Sequence, residues 1–147
     1  MSSVMIVSAE REVRAAADII FELIADPARQ PEWDGNDNLD RAEPGQRVRG
    51  VGDVFRTLLT NGAGRENHVV EFDEGRVIAW QPAEIGTPRP GHLWRWEVMP
   101  LAADHTLVRH TYDWSALTDP ARLARARATT SEALARSVAR LAHLAED

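Results

Sequence analysis

In residues 107–115, Leu-Val-Arg-His-Thr-Tyr-Asp-Trp-Ser, alternate positions carry two different chemistries. Side chains alternate across a sheet, so a strand here puts Val108, His110, Tyr112 and Trp114 on one face. The other face receives Leu107, Arg109, Thr111 and Asp113 and is mostly polar. The face expected to point inward thus presents an imidazole, a phenol and an indole where a plain core would carry Val, Ile or Leu. At a rise of about 3.3 Å per residue, His110 and Tyr112 sit roughly 6–7 Å apart. Each can donate or accept a hydrogen bond. The pair therefore suits either the holding of a ligand oxygen or acid–base work on a carbonyl or hydroxyl substrate. Two tips that satisfy each other or water are the plainer alternative.

Other segments extend the pattern. In residues 92–99, His92, Trp94, Trp96 and Val98 alternate with Leu93, Arg95, Glu97 and Met99. Upstream, Glu66, His68, Val70 and Phe72 form one set, and Ile78 and Trp80 another. Summed over these strands, one sheet face collects Trp80, Trp94, Trp96, Tyr112 and Trp114, together with His110, His68 and Glu66. His68 or Glu66 can assist His110 and Tyr112 if their strands are neighbours. Such a face is either an aromatic core with wet tips or the wall of a cavity, since ligand sites are commonly aromatic with few polar groups.

The last 30 residues weigh toward a cavity. Thr118 or Asp119 caps a helix with Pro120 at its first position, and the spacing predicts one helix over about 119–145, close to 40 Å long at 1.5 Å per residue. Its inward stripe is large at the ends, with Leu123 and then Leu134, Val138 and Leu141. The middle is Ala126, Arg127, Thr130 and Ala133, small or polar where a closed core wants neither. Close packing of alanines against the sheet is the alternative to a gap. Arg122, Arg125 and Arg127 fall within two turns of this helix; a solvated face is their usual meaning and recognition of an acidic ligand the sharper one.

The elements that position these groups follow from period and punctuation. Residues 4–14 are β-branched and read as a strand. Ile20, Leu23 and Ile24 recur at helical spacing beside Phe21, predicting a helix over 16–25 that Pro27 ends. Asp26 and Pro27 open a further short helical turn that finishes near Trp33. From Asn36 the period changes to about six antiparallel strands. Gly50 and Gly52 mark a turn or bulge, and Asp73-Glu74-Gly75 joins the clearest hairpin. The stretch Gln81–Gly91, with three prolines and two glycines, predicts an irregular loop. Strands segregated from helices indicate α+β, and 147 residues suit one domain, 1–147.

This order, with Ala-Ala-Asp-Ile-Ile-Phe-Glu-Leu-Ile-Ala-Asp-Pro near the start, Trp33 seven residues after Asp26, the 68–82 hairpin and the 106–115 strand, resembles the START/polyketide-cyclase (SRPBCC, helix-grip) superfamily. The resemblance covers nearly the whole chain and is structural, with no catalytic signature. It implies a curved antiparallel sheet of about seven strands, two short helices after strand 1, a long C-terminal helix gripped by the sheet, and a cavity between them. It also implies a lipid, polyketide or similar hydrophobic ligand, while cyclisation or dehydration belongs to subgroups.

Composition closes other routes. All 17 basic residues are Arg and none is Lys, which excludes a Schiff-base or P-loop lysine. Cysteine is absent, removing disulfides, thiolate metal sites and a catalytic thiol. A net charge of −6 argues against nucleic acid. Glu66-x-His68 with His110 has the residue types for three metal ligands, but no His-x-His or His-Glu-x-x-His occurs, and neither metal nor cofactor is expected. No run of 18 apolar residues spans a membrane, and the charged N-terminus does not resemble a secretion signal. The expectation is a cytoplasmic monomer or homodimer. His110 and Tyr112 are its catalytic candidates. Glu66, His68, Trp80, Trp94, Trp96, Trp114, Arg127, Thr130 and Leu134 are its ligand-binding candidates.

Overall fold

The computed structural model describes residues 5–146. Strand β1 (Ile6–Val13) leads into helix α1 (Ala17–Ala25); Val4, the expected start of β1, lies outside the described residues. Ile20, Phe21, Leu23 and Ile24 are buried along α1. Asp26, restricted to extended backbone by the following proline, accepts a hydrogen bond from the Ala28 amide at 3.2 Å and caps a 3₁₀ turn over Pro27–Glu32. The sheet continues with β2 (Leu39–Arg41), β3 (Val54–Leu59), β4 (Gly64–Asp73), β5 (Val77–Glu84), β6 (Leu93–Ala102) and β7 (His105–Asp113).

All seven strands join one antiparallel sheet in the order β1-β7-β6-β5-β4-β3-β2. Strands β2 to β7 thus form a meander, and β1 pairs with the last of them. The β4–β5 hairpin turns at Asp73-Glu74-Gly75, where Gly75 takes φ +79° and the Arg76 amide donates to the Asp73 carbonyl at 2.8 Å. Strand β5 runs to Glu84, further than its prolines suggested. Beyond Trp80 it has no β6 partner, so the missing amide of Pro82 leaves no ladder position empty. The irregular loop is therefore shortened to Ile85–His92.

The concave face carries Ile78, Trp96, Val98 and Val108 against Ile20, Phe21 and Ile24 of α1 and against the C-terminal helix. The convex face carries charge. Arg109 pairs with Glu10 at 2.8 Å and with Glu97 at 3.8 Å, and Arg95 pairs with Glu97 at 2.6 Å and Glu71 at 2.8 Å, lacing β1, β7, β6 and β4 together.

The C-terminal helix is not continuous. Helix α2 (Pro120–Ala128), capped by Asp119, stops at Thr129 (φ −79°, ψ 115°), and α3 (Ser131–Glu146) begins afresh. Two successive β-branched threonines favour the break. The Thr129 hydroxyl donates back to the Arg125 carbonyl at 3.2 Å, and Thr130 Oγ1 accepts from the Ala133 amide at 3.3 Å. The apolar stripe is in phase only along α3, where Leu134, Val138, Leu141, Ala142 and Ala145 are buried. Helix α2 buries Ala126 alone. The chain after the 3₁₀ turn approaches α3 closely at Gly35, whose amide donates to Ser137 Oγ at 2.8 Å. A Cβ at Gly35 would stand 2.6 Å from the Ser137 nitrogen.

Candidate functional site

One end of the concave face is filled by α1 and α3; the other end encloses a half-open cavity of about 270 Å³. Its floor is the sheet. Trp80 comes from β5, Trp94 and Trp96 from β6, His110 and Tyr112 from β7, and Asn67 and Arg65 from β4. Trp33, Asp34, Asn36 and Asn38, with Ser137 of α3 against Gly35, and Arg122, Arg125 and Thr129 of α2 and its junction with α3 complete the lining.

Register builds the aromatic wall. Trp94 lies opposite Tyr112 and Trp96 opposite His110, which makes cross-strand neighbours of alternate side chains. The His110 ring stacks on Trp96 at a centroid distance of 3.8 Å and faces Trp94 at 5.5 Å; Trp94 meets Tyr112 at 4.3 Å. Trp33, held by its Nε1 donating to the Leu23 carbonyl at 2.8 Å, meets Trp96 edge-on at 5.1 Å.

The tautomer of His110 follows from its partner. Nδ1 lies 3.0 Å from the Arg95 carbonyl, which can only accept, so Nδ1 carries the proton and Nε2 keeps a lone pair. Burial pushes this imidazole down to about 3, so it is neutral at ordinary pH. Neither Nε2 nor the Tyr112 hydroxyl has a partner among the described residues, and neither is sealed from solvent. Burial raises the Tyr112 phenol above its usual range and the Asp34 carboxyl above its own. Asp34 keeps one oxygen on the Asn36 amide at 3.2 Å, while Oδ2 is buried without a partner. His92 is pushed down to about 4, by burial first and then by the nearby Arg122, Arg65 and Arg125.

Of the catalytic and ligand-binding candidates, Trp80, Trp94, Trp96, His110 and Tyr112 meet in this cavity, as do Arg122 and Arg125, whose spacing allows either a solvated face or an acidic-ligand contact. The others lie elsewhere. Glu66 and His68 are on the convex face, where Glu66 pairs with Arg56 at 3.1 Å and accepts from the Gly86 amide at 2.9 Å. The reason is a bulge: β4 slips register between Val69 and Glu71, so Phe72 turns inward while the residues before the slip alternate in the opposite phase. Two strands also separate β4 from β7, which removes Glu66 and His68 from any joint action with His110. Trp114 and Leu134 pack in a second apolar cluster with Leu117 and Ala126. Arg127 lies over the Trp114 ring at 5.7 Å, and Thr130 caps α3.

The same slip conceals Arg65 and Asn67, which line the cavity in place of Glu66 and His68. His92 already shared a face with Trp94 and Trp96 in the alternation. Asp34 and Ser137 carried no signal, because a loop and a helix meet there only in three dimensions. Among the described residues, no three His, Asp or Glu side chains come together as metal ligands.

Comparison with known proteins now places this arrangement. A sequence model of the family described as polyketide cyclase/dehydrase and lipid transport matches residues 5–146. The chain belongs to the polyketide cyclase/dehydrase and lipid transport family. An uncharacterised protein of Mycobacterium tuberculosis is 34% identical over 114 residues, covering 75% of this chain and 48% of that protein. The chain thus spans about half the length of the curated relatives it matches. Among solved structures, a norcoclaurine synthase of Thalictrum flavum, bound to a transition-state analogue, shares the fold at TM-score 0.63 and 19% identity, over 99% of this chain and 96% of that one. An Aha1 dimer from Colwellia psychrerythraea does so at TM-score 0.65 and 18% identity, over 96% of each chain. These likenesses establish the helix-grip type of fold: a curved, open seven-stranded sheet with short helices and a C-terminal helix. No helix among the described residues is long and apolar enough to cross a membrane. Within this fold, the aromatic cavity is the candidate site.

Proposed function

We propose that this protein binds a small hydrophobic molecule bearing an oxygen function in the cavity between sheet and C-terminal helices. The observation that carries this reading is the pairing of an aromatic wall with two polar atoms that have no partner among the described residues, His110 Nε2 and the Tyr112 hydroxyl. The first accepts and the second donates, so a hydroxyl or carbonyl can be oriented between apolar walls. At about 270 Å³ the cavity is near the lower limit of ligand pockets. That size favours one or two fused rings over a long acyl chain.

Acid–base catalysis by His110 and Tyr112 is the second reading, and the electrostatics favour it less. A general base works best with a pKa near the operating pH, whereas burial holds His110 near 3 and raises Tyr112. A surface-acting module with a filled core is disfavoured by the cavity itself.

The test is calorimetric titration of the full chain with one- and two-ring hydroxyl, carbonyl and carboxylate compounds. The expected result is saturable binding that is abolished by Leu59→Trp, which adds bulk at a lining position on β3. Absence of binding across the panel, or binding indifferent to Leu59→Trp, refutes the reading.

A further inference from the structure

We infer that the cavity's ligand carries a carboxylate, held between Arg65 of β4 and Arg125 of α2. This deepens the ligand-binding reading and rests on it. Three guanidinium groups line one part of the cavity: Arg65 on the concave face, and Arg122 and Arg125 one turn apart on α2. Only Arg122 is neutralised, by Glu84 at 3.3 Å and Asp119 at 3.5 Å. Arg65 donates to the neighbouring Gly64 carbonyl at 3.0 Å and has no carboxylate partner among the described residues. Arg125 has neither a hydrogen-bond nor an ion-pair partner for its guanidinium among them. Arg29, Arg47, Arg56, Arg95, Arg109 and Arg140 each meet a carboxylate elsewhere; of the arginines without one among the described residues, Arg65 and Arg125 are the two that line this cavity.

The uncompensated charge is felt locally. All three arginines act on His92, whose buried Nδ1 has no partner, and Arg125 also acts on Tyr112. Asp34, the one carboxyl among the described residues that line the cavity, is not among the charges acting on His92. An anion placed here would gain charge-assisted hydrogen bonds from two fork-shaped donors, a geometry that suits a planar carboxylate. The adjoining walls, Trp94 and Tyr112, suit the flat apolar body of the same molecule. Helix α2, which buries Ala126 alone, would gain a tie to the sheet through Arg125.

The experiment compares 2-naphthoate with its neutral counterpart 2-naphthamide, by calorimetry at low ionic strength, on the full chain and on an Arg65→Gln/Arg125→Gln variant. The carboxylate is expected to bind the native chain at least about tenfold tighter than the amide, the worth of one charge-assisted contact. In the double variant this preference collapses to within about twofold, and a urea midpoint within about 0.3 M of the native one shows that the variant is folded. Raising the salt should erode the preference without weakening the amide. If the amide binds in a manner blocked by Leu59→Trp and the acid has no advantage, the carboxylate inference falls and the cavity reading stands. If neither compound binds, both fall together.

Discussion

His110 offers the sharpest physical prediction. Its imidazole is buried, stacked between two indoles and held neutral, down to about 3 in the native fold, whereas an unfolded histidine titrates near 6.5. Above pH 6.5 both states are neutral and the group makes stability no function of pH. Below 6.5 the unfolded chain takes up a proton that the native chain refuses, so stability is lost progressively down to about pH 3. At pH 4.5 the gap is two pH units, which at about 1.36 kcal/mol per unit is a loss of roughly 2.7 kcal/mol relative to neutral pH. Other groups titrate in the same range, so the variant supplies the control. His110→Phe keeps a flat ring between Trp94 and Trp96 but cannot be protonated. It removes the Nδ1–H bond to the Arg95 carbonyl, at a pH-independent cost of about 0.5–1.5 kcal/mol. Urea unfolding at pH 7 and pH 4.5 should therefore show the native chain losing about 2–3 kcal/mol more than the variant over that interval. Equal losses in the two proteins would refute the buried, neutral imidazole, as would an NMR titration of the His110 ring with a midpoint near 6.5.

Three further outcomes follow from the geometry. Gly35→Ala forces a Cβ to within 2.6 Å of the Ser137 nitrogen, and because helix backbone cannot yield as a side-chain tip can, the urea midpoint should fall by the equivalent of about 1–3 kcal/mol; an unchanged midpoint contradicts the close approach. Glu66→Gln and His68→Ala, on the convex face, should leave ligand affinity within about twofold of the native value, and a tenfold loss in calorimetry would return these residues to the cavity. Burial raises the Asp34 carboxyl, so the ionised native form is held at a cost that grows as pH rises through its folded pKa. Asp34→Asn should accordingly stabilise the chain at pH 8 and lose that advantage toward pH 4, measured by thermal unfolding; a variant less stable than the native chain at pH 8 would show that the charge is needed.

Where the linear pattern was legible, it was legible for local reasons. Asp26-Pro27 and Asp119-Pro120 carry their cap chemistry within three residues, and both helical starts lie where those pairs place them. Strands β6 and β7 keep strict alternation through their central residues, so the facing of Trp94, Trp96, His110 and Tyr112 could be read directly. Strand β4 defeats the same method, because one bulged residue at Val70 reverses the phase and a period of two has no memory of such a slip. The C-terminal helix misled in a related way: its inward stripe runs through Thr130, but the hydroxyls of Thr129 and Thr130 compete for backbone groups and end one helix to start another.

The sequence by itself determined the class of fold, the order of elements, the excluded chemistries and the aromatic face of the last two strands. Each of these depends on neighbours in the chain or on residue types simply present or absent. Only the tertiary structure decided which polar groups share the cavity. Arg65 from a bulged strand, His92 from a loop, Arg122 and Arg125 from a short helix, and Asp34 from beside Gly35 come from segments far apart in sequence. Their convergence is set by sheet curvature, by one register slip and by the bend at two threonines, and none of these has a period that a linear pattern can reveal.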